Sequence, residues 1–318
     1  MPVLHLCEAD VEQLLDMPTT IDVVEQAFRQ LAAGHAHNVP RHRARGKGVV
    51  LHSMSAAADY LSLVGWKQYT TTSSGAKFHV GLYEQSTGNL VALIEADRMG
   101  QMRTGAVTGI AARLLANPDA SEIGLFGSGW QAESQLAAVA TTCPIRRAFV
   151  HSRNANRCSS FAAKMAEQLG IEVISVADPR RAVESLPIVI TATTSRVPVF
   201  DGQWLSDGAL VCAVGSNWKQ KAEIDATTVR RAANVVCDSV ECCQHEAGDF
   251  NDAIGAGDFL WESACELSEV LVGNTVGRRS PDEIILFKSV GMAIEDVAVG
   301  AKLIELARQR GIGALLPI

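Results

Sequence analysis

Glu122-Ile123-Gly124-Leu125-Phe126-Gly127-Ser128-Gly129-Trp130-Gln131-Ala132 is the stretch on which the fold turns. A short, largely apolar segment with the look of a buried strand runs into a G-x-G-x-x-A turn and straight on into a helical pattern over 131–140. Gly127 permits the tight turn, Gly129 lets a pyrophosphate approach the backbone, and Ala132 is small enough for the helix to pack on the strand. The diphosphate is then expected on the positive N-terminus of that helix. Glycine-rich turns are common on surfaces, so the specificity lies in what surrounds this one. From about residue 117 strand and helix alternate, with strands expected at 122–126, 148–151, 172–176, 188–191, 210–214 and 235–238 and a second helix at 155–169. That rhythm is the pattern of a parallel sheet with crossovers.

The end of the second strand selects the dinucleotide. A site for NAD usually carries an acid about 20 residues past the glycines, to hold the ribose 2′-hydroxyl. Here the chain reads His151-Ser152-Arg153-Asn154, with Arg157 beyond and no acid until Glu167. A hydroxyl and a guanidinium suit a 2′-phosphate, so NADP(H) is favoured over NAD(H), with Ser152, Arg153 and Asn154 as contacts. The alternative is that Arg153 and Arg157 are solvated residues at a helix start.

The rest of the chain frames this domain. Its 318 residues, 47% apolar and 20% charged, are enough for about two domains with cores of their own. The net charge of −7 gives no general reason to bind nucleic acid. No uncharged apolar run reaches the roughly 18 residues a membrane span needs, and acids enter early, at Glu8 and Asp10, so a cytoplasmic protein is expected. Eight cysteines lie scattered without a C-x-x-C pair, which reads as free thiols. Cys242, Cys243, His245 and Glu246 cluster in sequence, but adjacent cysteines rarely point at one tetrahedral ion, and no metal is expected.

The first hundred residues read as helices followed by strands: a helix over 21–34 capped by Thr20, then strands at 49–53, 61–69, 78–84 and 90–96, the last two joined by a turn at 86–89. Asn117-Pro118-Asp119 marks a domain boundary, because a residue before proline resists helix. The segment 291–310 is helical again with a broad apolar face.

Taken whole, the sequence resembles the ornithine cyclodeaminase and mu-crystallin family, which includes ketimine reductases and an alanine dehydrogenase branch. Leu63-Val64-Gly65-Trp66-Lys67 looks like the family's active-site lysine segment, and Met102-Arg103-Thr104-Gly105-Ala106 like its Arg-Thr helix start. Gly127–Ala132 matches its G-x-G-x-Q-A turn including Gln131, and Glu223-Ile224-Asp225 its Glu-Leu-Asp. Phe287-Lys288-Ser289-Val290-Gly291-Met292-Ala293, followed by Glu295-Asp296, matches its F-K-S-x-G-x-A-x-E-D. The resemblance implies an α/β fold in which a Rossmann-type dinucleotide-binding domain, 117–290, is inserted into a smaller α+β substrate and dimerisation domain, 1–116 plus 291–318. It also implies a homodimer, an active site in the interdomain cleft, and a small imino- or amino-acid substrate.

Reduction of an imine of a 2-keto acid needs a cation for the carboxylate, a proton donor at the nitrogen and a group that orients that donor. Arg103 and Arg41 are the candidates for the carboxylate. The resemblance supports both, although Arg43 and Arg45 crowd the same loop. Lys67 is the expected proton donor, its ammonium depressed by burial among Leu61, Leu63, Val64 and Trp66. Asp225 is the candidate proton relay, against an ordinary helix cap. Further cofactor contacts are expected from Arg103, Thr104, Ser128, Trp130, Ala192, Thr193, Thr194, Val214, Gly215, Ser216 and Ser289. His79 reads as a structural histidine in an apolar strand, and Trp218 as pocket wall or packing. Reduction of a cyclic ketimine such as pyrroline-2-carboxylate or piperideine-2-carboxylate, or of an open-chain imine, is the leading expectation. Ornithine or lysine cyclodeamination, alanine-type dehydrogenation and a non-catalytic NADPH binder are the alternatives.

Overall fold

In the computed structural model, which describes residues 2–317, the chain separates into two units, Met1–Arg103 with Gly291–Ile318 and Thr104–Val290. The first begins with β1 (Val3–Leu6), α1 (Glu8–Leu14), α2 (Met17–Ala32), β2 (Ala36–Gly46), β3 (Val49–Ala58), β4 (Leu63–Thr72), β5 (Gly75–Glu84) and β6 (Leu90–Glu95). α3 (Asp97–Leu115) carries the chain into the second unit: β7 (Glu122–Phe126), α4 (Trp130–Thr142), β8 (Arg147–His151), α5 (Ala155–Leu169), β9 (Glu172–Ser175), β10 (Ile188–Thr191) and β11 (Leu210–Ala213). There follow α6 (Ala226–Arg231), β12 (Asn234–Cys237), α7 (Val240–Glu246), α8 (Asn251–Ala256), β13 (Cys265–Glu266), α9 (Leu267–Leu271) and β14 (Ile285–Lys288). The chain then returns to the first unit with α10 (Ala293–Arg310) and β15 (Ala314–Leu316).

The second unit is an eight-stranded sheet in the order β13-β12-β14-β11-β10-β7-β8-β9, and every pair in it is parallel. β10, β11 and β14 are buried along their whole length, the signature of strands covered on both faces. From β7 the chain steps outward to β8 and β9, then crosses back to β10 and β11 on the other side. The order therefore reverses between β7 and β10, and the carboxyl ends of the strands there form the crevice where such sheets bind ligands.

The first unit is a seven-stranded sheet, β15-β1-β6-β5-β4-β3-β2. β2 to β6 form an antiparallel meander, and β1 joins β6 in parallel. α10 lies on β3, β4 and β5 with α2 against it, burying Ile294, Val297, Ala298, Leu303 and Ile304 together with Ile21, Val24, Ala27 and Phe28. Burying each of these side chains other than the two alanines is worth about 1.5–3 kcal/mol.

Several boundaries differ from the sequence expectation. α2 starts at Met17, with Asp16 as its cap accepting from the Thr19 N–H and Pro18 in the first turn, where a missing N–H costs nothing. Thr20, expected as the cap, sits a turn inside and donates its hydroxyl to the Asp16 carbonyl at 2.6 Å. The two units part within α3, earlier than Asn117-Pro118-Asp119. Thr142 of α4 donates to the Gly109 carbonyl at 2.9 Å, and Gly105 and Gly109 face the α4 backbone, which holds most of α3 in the second unit. Among the described residues no helix is long and apolar enough to cross a membrane.

Candidate active site

Lys67 stands mid-strand on β4, between Met54 of β3 and Val80 of β5. Strand alternation sends Val64 and Trp66, two of the residues the sequence suggested around it, to the opposite face, while Met54 and Val80 flank it across the strands and Asp296 of α10 meets it. The side chain is only 2% exposed, and its Nζ lies 2.8 Å from Asp296 Oδ1 and 5.2 Å from the centre of the Phe78 ring. Arg103, in α3, reaches the same acids, with Nη1 2.7 Å from Glu295 Oε2 and Nε 3.2 Å from Asp296 Oδ1. Both carboxylates belong to the first turn of α10, where the helix dipole favours negative charge. Arg41 is buried too; it donates to the Gly291 carbonyl at 3.5 Å and sits 5.9 Å from the Tyr69 ring centre.

Lys67 and Arg103 thus share Asp296, Arg103 also holds Glu295, and Arg41 lies close enough to act on the Lys67 charge. Burial, aided by the charge of Arg103, pulls the Lys67 ammonium down to about 8 despite Asp296. For Arg103 burial works the same way, but Asp296 and Glu295 outweigh it and hold the guanidinium above its ordinary range. Asp296 Oδ2 is buried and has no hydrogen-bond partner among the described residues; such an oxygen calls for a ligand or a water.

Sequence reasoning missed His52. It lies opposite Tyr69 in the β3–β4 register and stacks on it with ring centres 4.1 Å apart, while Tyr69 stacks on Phe78 at 4.6 Å. Arg43 Nε donates to His52 Nδ1 at 3.2 Å, so Nε2 carries the proton and donates to Thr71 Oγ1 at 3.1 Å. Burial, with Arg43, Arg41 and Arg45 nearby, lowers its pKa to about 4, leaving a neutral ring beside a basic segment. Of the three arginines there, only Arg41 is buried; Arg43 is half-buried and Arg45 exposed.

In the second unit, Gly127 has φ +114°, and a Cβ on it would collide with the Ala192 carbonyl. A Cβ on Gly129 would meet nothing, which leaves its backbone open at the start of α4. The N–H groups of that helix end, which no side chain caps, are what a phosphate needs. A cleft of about 440 Å³ runs past Gly127, Ser128, Gly129, Ser152, Arg153, Ala192, Thr193 and Thr194, all named from the sequence, and adds His151 and Arg157. No acid lines it, and Ser128 donates to the Ser152 hydroxyl at 3.0 Å. These residues fit a dinucleotide. Gly127→Ala is expected to lower unfolding stability by about 1–3 kcal/mol, through left-handed strain and the carbonyl clash, and to weaken dinucleotide binding; thermal denaturation and a binding titration check both.

Other expected contacts stand outside that cleft lining. Trp130 is 44% exposed, and Gln131 accepts from Ser134 Oγ at 3.4 Å. Asn154 caps α5, accepting from the Arg157 N–H at 2.9 Å, so its amide oxygen is engaged. Ser289 is buried and donates to Asp238 Oδ2 at 2.8 Å. Thr104, Val214 and Trp218 are half-buried, Gly215 exposed and Ser216 buried. His79, expected as a structural histidine, is exposed. Asp225, expected to relay a proton, is the cap of α6: its Oδ1 accepts from the Thr228 N–H and hydroxyl at 2.8 and 2.7 Å, and its Oδ2 from the Gly202 N–H at 3.0 Å. Those three donors make the carboxylate an effective cap for α6. Within its own unit, Lys67 pairs with Asp296.

Comparison with known proteins bears on this geometry. The chain is 31% identical over 270 residues to a Delta(1)-pyrroline-2-carboxylate reductase of Bacillus cereus, covering 82% of each chain. Its structure is similar to that of the Thermococcus litoralis Delta(1)-pyrroline-2-carboxylate reductase in complex with NADH and L-proline, with a TM-score of 0.95 and 32% identity over 99% of this chain and all of that one. An archaeal alanine dehydrogenase dimer with bound NAD matches with a TM-score of 0.94 and 28% identity over the full length of both. A family model matches residues 2–310. The chain belongs to the ornithine cyclodeaminase/mu-crystallin family.

Proposed function

We propose that the protein is an NAD(P)-dependent oxidoreductase that reduces the C=N bond of a ketimine of a small 2-keto acid to the L-amino acid. Cyclic ketimines such as pyrroline-2-carboxylate or piperideine-2-carboxylate are the leading substrates, and NADP(H) is favoured over NAD(H). The observation that carries this reading is the buried cluster in which Lys67 and Arg103 share Asp296 and Arg103 also holds Glu295, with Arg41 buried and acting on the Lys67 charge. Arg41 and Arg103 suit the substrate carboxylate, because a guanidinium can bind it through two parallel hydrogen bonds. Lys67, at about 8, is poised to give a proton to the imine nitrogen near neutrality, which is where a general acid works best. Asp296 keeps that ammonium aimed, and its second oxygen, which has no partner among the described residues, can accept from the N–H that the transfer creates. The nicotinamide, when bound, supplies the hydride.

The preference for NADP(H) rests on Arg153 and Arg157 in a cleft without an acid. The same feature weighs against a cyclodeaminase that recycles NAD. A homodimer is also proposed, as in the archaeal alanine dehydrogenase, and all eight cysteines are free thiols, which suits the reducing cytoplasm.

Following nicotinamide absorbance tests the reading. The assay pairs NADPH or NADH with cyclic ketimines and with 2-keto acids plus ammonia or methylamine, and NAD⁺ with ornithine. Oxidation of NADPH by a cyclic ketimine is the expected result, whereas conversion of ornithine to proline with no net change in the nicotinamide overturns it. Arg153→Ala is expected to weaken NADPH by about tenfold or more, as loss of a charged hydrogen bond does, and NADH hardly at all. Equal losses would contradict the cofactor assignment.

A further inference from the structure

The second unit buries a group of charges that the chemistry above leaves unused. Glu223, Asp249 and Lys288 are each at most 2% exposed. One oxygen of Glu223 accepts from the Thr193 N–H at 2.6 Å and the Thr193 hydroxyl at 2.7 Å. The other accepts from the Gly215 N–H at 2.6 Å and the Thr191 hydroxyl at 3.0 Å. A carboxylate that takes four donors in this way is an acceptor on every side. Glu223 is held from behind: its own N–H donates to Asp249 Oδ1 at 2.6 Å, Asp249 pairs with Lys288 at 2.8 Å, and Lys288 donates to the Ser216 carbonyl at 2.8 Å.

The position of this network matters. β10 ends at Thr191 and β11 at Ala213, paired in parallel, so Thr193 and Gly215 leave the sheet side by side at its carboxyl edge. A Cβ on Gly215 would collide with the Thr193 N–H and with both Glu223 oxygens, so only glycine allows the two segments to close on the carboxylate. Thr193 also lines the 440 Å³ cleft, and Ser216, next to Gly215, has a buried hydroxyl with no partner among the described residues. In a sheet of this topology each half holds one nucleotide: the β7–β8 side, with Arg153, takes the adenosine, and the β10–β11 side the nicotinamide.

We infer that Glu223 is the positioning residue for the nicotinamide half of the dinucleotide: it locks the Thr193 and Gly215 segments into one surface. The inference rests on the dinucleotide reading but needs no imine substrate. Glu223→Gln replaces one accepting oxygen with an NH₂ that faces two donors, so one segment is released while side-chain volume stays the same.

The test is a pair of binding titrations, with NADPH and with 2′-phospho-ADP-ribose, which lacks the nicotinamide. For Glu223→Gln the expected result is a loss of about tenfold or more for NADPH, the range for a donor left unsatisfied, with affinity for the truncated ligand changed less than about twofold. Should that variant fail to fold, Thr191→Val removes one of the four donors at nearly constant shape and is expected to weaken NADPH alone, by about threefold. Equal loss of both ligands, or of neither, would overturn the inference, because a residue that merely supports the fold does not distinguish the halves. A wild-type chain that binds NADPH no more tightly than the truncated ligand would overturn it as well. Failure with every imine alongside a selective loss of NADPH would remove the proposed reaction and leave this inference standing.

Discussion

Lys67→Met lowers the turnover of a cyclic ketimine by about 10²–10⁴-fold, the range for losing a positioned general acid, while the dinucleotide binds as before. Methionine keeps an unbranched stem in the space among Met54, Val80 and Phe78, and Arg103 still engages Asp296, so the loss falls on the chemical step. Wild-type kcat carries the matching pH signature. The ammonium is the acid, and burial sets it at about 8, so kcat holds below that pH and declines as pH rises through it. The residual rate of Lys67→Met lacks that alkaline limb. Steady-state kinetics from neutral to alkaline pH check both statements; an unchanged limb in the variant would mean that another group delivers the proton.

Arg103→Leu has the largest expected effect on stability. Its guanidinium is the partner of Glu295 and shares Asp296 with Lys67, and both acids are fully buried. Removing one member of a buried ion pair costs about 3–5 kcal/mol, because the remaining charge keeps its desolvation penalty without the attraction that offset it. Chemical denaturation measures the loss, and a change below about 1 kcal/mol, the value of an exposed pair, would contradict the account. The positive charge of Arg103 also helps to depress Lys67, so in protein that remains folded the alkaline limb of kcat moves to higher pH.

What the sequence reveals of this site is what local motifs carry. The G-x-G turn, Lys67, Arg103 and the Glu295-Asp296 pair are all legible as short strings, and the alternation beyond Glu122 announces the parallel sheet because its strands are apolar on both faces. Contacts made by folding are not legible: Lys67 and Asp296 are 229 positions apart, and His52 meets Tyr69 only through strand register. β2 reads as a loop because it is basic and contains Pro40, yet it lies at the sheet edge with a register shift between Val39 and His42, where proline is tolerated. β14 slips between β11 and β12, an order that no periodicity encodes. Asp225 is a lesson in the other direction. An aspartate just before Ala226-Thr227-Thr228-Val229 is also what a helix cap looks like, and its hydrogen bonds do cap α6.

A crystal structure with NADPH and L-proline bound tests the central claim most directly. The account requires the Lys67 Nζ within about 3.2 Å of the proline nitrogen, the reach of a proton donor, and the carboxylate on Arg41 and Arg103. A proline nitrogen resting on Asp225, with Lys67 still turned to Asp296, would contradict it.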